Sequence, residues 1–268
     1  MHADIEPYFD LTDRVAVVTG AGGGIGRSVA LTLARAGAAV LVSDADPLTL
    51  TETVALVGAS GGAATGFVAD VSRRTDMEDL ATAARDRHGR IDVWANVAGV
   101  IRYGAVADMP EEEVDLLLDV NLRGTYWGCA SAVRAMSAQG AGSIVNVASS
   151  AIDLPTAGIA GYSLTKAAVA MLTRSLAVEV GPQGIRVNAV APGWVDTPMV
   201  AHHWTTADGA VDEEARREVF ARRAAVSPLG ITGEPVDIAL AVLYLAADAS
   251  RFVTGQVLRP NGGAGMPG

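Results

Sequence analysis

Short runs of β-branched and aliphatic residues alternate along this chain with longer stretches whose apolar positions recur at helical spacing. The runs Arg14–Thr19, Ala39–Ser43, Thr65–Ala69, Ile91–Asn96, Ser143–Ala148 and Ile185–Val190, with a shorter one at Gln256–Leu258, predict seven strands. Between them Ile25–Ala36, Pro47–Val57, Thr75–His88, Glu111–Met136, Ala167–Glu179 and Pro235–Ala246 predict helices, and glycines such as Gly37 and Gly89 close several of them. Strands that are apolar at successive positions are covered on both faces. That makes them parallel strands flanked by helices, a doubly wound α/β sheet. The alternation never breaks off and no Pro/Ser-rich linker interrupts it, so residues 1–268 read as a single domain. The longest departure is Pro198–Pro228, which is polar, charged and helix-prone and lies between the sixth strand and the last helix.

Composition narrows the function classes. Half of the 268 residues are hydrophobic and 19% are charged, which suffices for a sizeable core and excludes disorder. The net charge of −10 repels phosphate backbones and anionic lipid, so no nucleic acid and no membrane partner is expected. The single cysteine, Cys129, has no internal partner and suits a reducing compartment. Met1–Leu11 lacks the basic start and apolar centre of a signal peptide, and no apolar run is long enough to span a bilayer. A cytoplasmic location is the expectation.

Three local patterns carry chemistry. The first strand runs into Thr19-Gly20-Ala21-Gly22-Gly23-Gly24-Ile25-Gly26, followed by a helix; glycines there let backbone N–H groups and a helix N-terminus approach a pyrophosphate. The second strand ends at Ser43-Asp44, where an acid accepts from a ribose 2′-hydroxyl and repels a 2′-phosphate. No Lys or Arg occurs in Ala21–Gly24 or Ser43–Asp46, which favours NAD over NADP; Asp44 could equally begin the loop before Pro47. Third, Tyr162 and Lys166 share one helical face, and Lys166 is the only lysine among 20 basic residues. An ammonium beside a phenol stabilises phenolate and lowers its pKa, as acid–base catalysis near neutrality requires. Ser149, at the end of a buried strand, would hold a substrate oxygen beside that phenol.

With these residues in order, the chain resembles the short-chain dehydrogenases/reductases in their single-domain form, from Arg14 to Gly263. The resemblance rests on Thr19-Gly20-x-x-x-Gly24-x-Gly26, Asp70, Asn96-Val97-Ala98-Gly99, Asn121, Ser149, Tyr162, Lys166 and Pro192-Gly193-x-x-x-Thr197, with a 13-residue step from Ser149 to Tyr162. It implies a Rossmann-type seven-stranded sheet, commonly in a homotetramer, with the segment near 198–228 as substrate lid. It further implies Tyr162 as general acid/base, Ser149 polarising the substrate oxygen, Lys166 on the nicotinamide ribose, and Asn121 completing a water-linked proton path. Cofactor contacts are implied for Gly20, Gly23, Gly24, Ile25, Gly26 and Asp44, for Asp70 and Val71 at the adenine, and for Asn96, Ala98 and Gly99. Tyr162, Lys166, Pro192, Gly193, Val195 and Thr197 would surround the nicotinamide. Val97 departs from the family's usual Asn, and Arg259-Pro260 is an unusual pair near the C-terminus.

The leading expectation is an NAD-dependent oxidoreductase interconverting a lipophilic or alicyclic secondary alcohol and its ketone. The alternatives are a 3-oxoacyl-thioester reductase of the same family and a non-catalytic dinucleotide sensor. Where carrier-protein reductases place docking arginines, this chain has Gly140 and Gln183. The adjacent His202-His203 is a poor metal site, so no metal is expected. Cys129 reads as a buried structural thiol. Arg216-Arg217 and Arg222-Arg223, interleaved with Glu213, Glu214 and Glu218, read as a solvated helix face. Trp194, Met199, Trp204 and Phe220 would either line a pocket or pack the lid down.

Overall fold

The structure, a computed structural model, describes residues 5–206 and 208–267. Seven strands, β1 (Val15–Thr19), β2 (Ala39–Asp44), β3 (Ala63–Val68), β4 (Val93–Asn96), β5 (Gly142–Val147), β6 (Ile185–Val190) and β7 (Val257–Leu258), form one sheet in the order β3-β2-β1-β4-β5-β6-β7. All pairings are parallel. Helices α1 (Gly24–Arg35), α2 (Pro47–Ala59), α3 (Arg74–His88), α4 (Glu111–Leu117), α5 (Gly124–Ser137), α6 (Ala160–Val180), α7 (Glu213–Ala225) and α8 (Pro235–Ala246) complete it.

Strand alternation sorts the core into two layers. Ala16 and Val18 of β1 pack in one cluster with Val29 and Leu33 of α1 and Ile238 and Val242 of α8. Val17, pointing the other way, joins Leu80 of α3, Met136 of α5 and Val180 of α6. Full burial on both faces explains why β1 reads as an unbroken apolar run, each large side chain contributing roughly 1.5–3 kcal/mol. Because strand order reverses between β1 and β4, crossovers leave to opposite sides there and a crevice opens beyond the strand ends.

Three elements differ from the sequence pattern. The stretch expected as one helix over Glu111–Met136 is divided by a π-helical turn, Leu118–Arg123, between α4 and α5. That turn carries Asn121, whose backbone carbonyl accepts from Thr125 Oγ1 at 2.8 Å and whose side chain is fully buried. One extra residue per turn rotates the side chain off the helix's regular stripe, which periodicity cannot register. Helix α6 begins at Ala160, not Ala167, and so includes Tyr162. Within the polar segment, α7 is a complete helix, its N-cap Asp212 accepting from Glu214 N and Ala215 N at 3.0 Å.

Candidate active site

A cleft of about 880 Å³ runs along the C-terminal ends of the strands. The segment leaving every strand contributes to its wall: Gly20 after β1, Asp44 at the end of β2, Asp70 after β3, Ala98 after β4, Ser149 after β5, Gly193 after β6 and Pro260 after β7.

At one end lies the glycine loop. Gly20 has φ +65°, and a Cβ there would stand 2.6 Å from Ala98 Cα, so only glycine lets β1 turn this close to the loop after β4. A Cβ at Gly26 would stand 1.9 Å from Gly20 O, which presses the start of α1 onto that loop. Gly23, the N-cap of α1, has no atom within 4 Å of where a Cβ would be, so the helix N-terminus faces open space. Asp44 accepts from Gly22 N at 2.8 Å and Asp46 N at 3.2 Å, so it sets the loop's shape while lining the cleft. Arg27 touches the loop from behind and does not line the cleft: its guanidinium donates to Gly22 O at 2.5 Å and also bonds Thr53 Oγ1 and Glu52, both at 2.9 Å. Asp70, held by Ser72 N and Oγ, and Val71 complete this end.

At the other end, α6 presents Tyr162 and Lys166 one turn apart. Lys166 is 3% exposed; its Nζ donates to Val147 O at 2.8 Å and lies 5.8 Å from the Tyr162 ring centroid. Burial pulls the ammonium's pKa down to about 8. Tyr162 differs from the sequence expectation. Burial raises its pKa, the Ser149 hydroxyl opposes the rise and Tyr103 adds to it, so desolvation sets the direction in the protein by itself. Ser149 Oγ accepts from Ala151 N at 3.2 Å, which fixes the start of the short 3₁₀ turn Ser150–Ile152.

Two residues expected at the site sit behind it. Asn96 is buried and does not line the cleft: its Oδ1 accepts from Trp94 Nε1 at 2.8 Å and its Nδ2 donates to Asn146 Oδ1 at 2.9 Å, tying β4 to β5. As the last residue of β4 its side chain follows the pleat into the layer beneath, where its contacts are structural and it does not face the cleft. Asn121 likewise stays out of the wall. Its Oδ1 accepts from Val100 N at 2.8 Å and its Nδ2 donates to Val100 O at 2.9 Å, fixing the loop that carries Ala98 and Gly99. Its Oδ1 and Lys166 Nζ both approach Gly99, at 3.2 and 3.3 Å from where a Cβ would stand. Gly24, Ile25, Gly26, Ala98, Gly99, Pro192, Gly193, Val195 and Thr197 all line the cleft, with Thr197 packed over Gly24.

Aromatic side chains join the segment after β6 to α7. Trp194, Trp204 and Phe220 form an aromatic knot with centroids 4.8–6.1 Å apart, and Arg216 stacks on Trp204 and Phe220 while pairing with Asp196. Trp194 and Met199 line the cleft; Trp204 and Phe220 stay out of its wall and pack against each other. His202 and His203 stack on each other and on Tyr103, and among the described residues no three metal-ligating side chains converge.

Two functional positions escaped the sequence. Arg223 lines the cleft instead of facing solvent as the charge pattern suggested; its one sequence signal is a spacing of four from Val219, the buried position of α7. Arg259 bonds Asp153 through Nε at 2.6 Å and Nη2 at 3.3 Å, strapping the end of β7 to the turn after Ser149. Its neighbour Pro260 accepts from Gly193 N at 3.1 Å. Cys129 is buried between Asn96 and Asn146, and burial pushes its thiol up to about 12.

Known proteins share this arrangement. Residues 20–265 match the family profile described as enoyl-(acyl carrier protein) reductase. The chain is 40% identical over 257 residues to a (2S)-[(R)-hydroxy(phenyl)methyl]succinyl-CoA dehydrogenase subunit of Thauera aromatica, covering 96% of this chain and 98% of that one. It is 35% identical to a 3-oxoacyl-[acyl-carrier-protein] reductase of Thermotoga maritima, over 94% of this chain and 98% of that one. A crystal structure of a short-chain type dehydrogenase/reductase from Mycobacterium marinum superposes with a TM-score of 0.89 at 33% identity, covering 98% of this chain and all of the other. Some of the solved relatives hold NADP. Fold, motif order and similarity along the whole length agree: this chain belongs to the short-chain dehydrogenase/reductase family and is an oxidoreductase of that family.

Proposed function

We propose that the protein is an NAD-dependent oxidoreductase that interconverts a secondary alcohol and its ketone. The observation that carries this reading is the placement of Tyr162 and Lys166 on one face of α6, opposite a glycine loop whose companion acid is Asp44. The residues fit a dinucleotide. The helix N-terminus at Gly23 is open, and Lys166 Nζ spends one of its three donors on Val147 O. At the adenosine end Asp44 offers an acceptor to a ribose hydroxyl. The only cations among the described lining residues are Lys166 and Arg223, neither of which belongs to the glycine loop or the β2 end. That charge arrangement supports NAD over NADP.

The bound dinucleotide supplies the hydride acceptor or donor at the nicotinamide. The protein handles the proton and the geometry. The Tyr162 phenol gives the proton to a carbonyl oxygen or takes it from the alcohol, and the Ser149 hydroxyl, held by Ala151 N, orients that oxygen. Asn121, by clamping both backbone groups of Val100, keeps the Gly99 loop against Lys166. Trp194, Met199 and Leu154 give the substrate end an apolar wall, which suits a lipophilic group.

The relative from Thauera aromatica carries a hydroxy(phenyl)methyl group and a CoA thioester in its name, which supports an aryl or alicyclic substrate and keeps a thioester as the second reading. A carrier-protein thioester is the weaker form of it, since the chain's −10 charge opposes an acidic carrier. A homotetramer in the cytoplasm completes the proposal, supported by exposed apolar side chains on α6 (Leu164, Met171, Val178) and beside β7 (Phe252, Leu258). Light scattering after size exclusion tests the assembly. The first test of function is binding and turnover with NAD and NADP side by side, on cyclic and aromatic secondary alcohols and on acyl thioesters. NAD-dependent alcohol oxidation is expected; a strong NADP preference refutes the Asp44 argument, and binding without turnover favours the sensor.

A further inference from the structure

Arg223 stands on α7 in the wall of the cleft with its Nε fully buried and without a hydrogen-bond partner. Among the described residues it pairs with no carboxylate, whereas Arg216 two turns earlier pairs with Asp196 and Glu213. Burial raises the pKa of Tyr103 and the charge of Arg223 opposes that rise; the same charge acts on His203, and both are lining residues. Tyr103 stacks on His202 and His203, which groups these side chains at one wall of the cleft.

The acids that line the cleft are otherwise engaged. Asp44 holds Gly22 N, Asp70 holds Ser72, and Asp237 accepts from Glu234 N at 2.8 Å to cap α8. The cleft wall also carries the apolar side chains Trp194, Met199, Val226 and Leu229. A guanidinium in a cleft wall without hydrogen bond or ion pair is unfavourable, and the natural acceptor for its terminal Nη groups is an anion that arrives with the ligand. Burial, together with the charges of His202, Arg223 and Arg222, lowers the pKa of His203, so the histidine is neutral at pH 7 and leaves the positive charge to the arginine.

We infer that the substrate carries a carboxylate at the end remote from the reacting carbon, and that Arg223 selects it by a charge-assisted, two-pronged hydrogen bond. This rests on the proposed function in assigning the lid end of the cleft to the substrate. The ligand class is therefore an apolar, ring-sized secondary alcohol or ketone bearing a carboxylate.

The test uses two near-isosteric ketones, 4-acetylbenzoate and 4-methylacetophenone, and the full-length protein saturated with whichever reduced dinucleotide it binds. Isothermal titration reads affinity and a separate assay reads reduction. In the wild type the acid binds about 10- to 100-fold tighter than the methyl ketone, the range of one or two hydrogen bonds to a charged group. Arg223→Gln abolishes that difference, with the acid losing far more affinity than the methyl ketone, and Arg223→Lys restores part of it. Melting temperatures of the variants confirm folding, and Arg223→Leu replaces Arg223→Gln should the latter fail to fold. Equal affinity for the two ketones in the wild type, no measurable binding of the acid, or equal losses for both ketones in the variant overturns the inference. Selective binding of the acid without its reduction upholds the inference and counts against the proposed reaction.

Discussion

Arg259→Met is a sharp test of how the C-terminal strand supports the site. The guanidinium bonds both Asp153 oxygens, at 2.6 and 3.3 Å, and donates a third bond to Val257 O at 2.8 Å. Side-chain exposure is 24% for Arg259 and 13% for Asp153. Breaking a fully buried pair costs about 3–5 kcal/mol and an exposed one about 0–1, so this pair should lie at about 2–3 kcal/mol. For a chain of this size that corresponds to roughly 5–10 °C in Tm. Most of the loss comes from stranding the Asp153 carboxylate, so adding Asp153→Leu to Arg259→Met should recover at least half of it. Urea unfolding of the wild type, both single variants and the double variant measures each term. Because the Asp153 turn follows directly on Ser149, kcat should also fall in Arg259→Met while dinucleotide affinity holds. A single variant within about 0.5 kcal/mol of wild type, or a double variant no more stable than the single, refutes this assignment.

Four further predictions concern the cleft. Asp44→Asn keeps an acceptor for Gly22 N but removes the charge, so NADP affinity should rise about tenfold, the scale of one screened charge pair, as read by fluorescence titration. Lys166→Arg keeps charge but not compactness and should cut turnover by about 10²-fold or more in steady-state assays. Lys166→Met should be inactive yet more stable than wild type at pH 7. With the folded pKa near 8 against 10.5 unfolded, the native state holds fewer protons between those values, so the lysine's burial penalty of roughly 3 kcal/mol applies below pH 8 and disappears as pH rises to 10.5. Subtracting about 1 kcal/mol for the orphaned Val147 carbonyl leaves about 2, which urea unfolding at pH 7 and pH 10 would resolve. Finally, since burial raises Tyr162 above the ordinary phenol value of 10.0, alcohol oxidation should climb steadily with pH above 7 while ketone reduction stays level up to about pH 10; equal profiles in both directions would contradict Tyr162 as the proton carrier.

What the sequence revealed follows from how each feature is encoded. The glycine loop and its helix were legible because close approach demands a residue type at fixed positions. Tyr162 and Lys166 were legible because their spacing of four survives any tertiary arrangement. Asn96 was misplaced because a strand's last side chain can point to the cleft or beneath it, and only the pairing with Asn146 decides. The π-helical turn at Asn121 hides in apolar periodicity. Arg223 and Arg216 were read as a solvated face because alternating charge looks the same whether or not another segment covers it; the aromatic knot on which Arg216 stacks joins residues 194, 204 and 220, and Arg223 turns to the cleft. The Tyr162 pKa went the other way because burial is a tertiary quantity. Arg259 needed a partner 106 residues away.

The place where β1 meets β4 has a consequence for how the molecule comes together. Residues 15–68 hold three strands already in contact, but the far edge of β1 has no neighbour until Val93–Ala95 arrives. During synthesis that edge is exposed, and an open strand edge is a template for mispairing. The cleft straddles this join, walled by the glycine loop on one side and by the segments after β4, β5 and β6 on the other. A dinucleotide lying across it would act as a staple between an early-formed half and a late-formed one. Its concentration in the cell would then govern how long the finished protein survives as well as how fast it turns over.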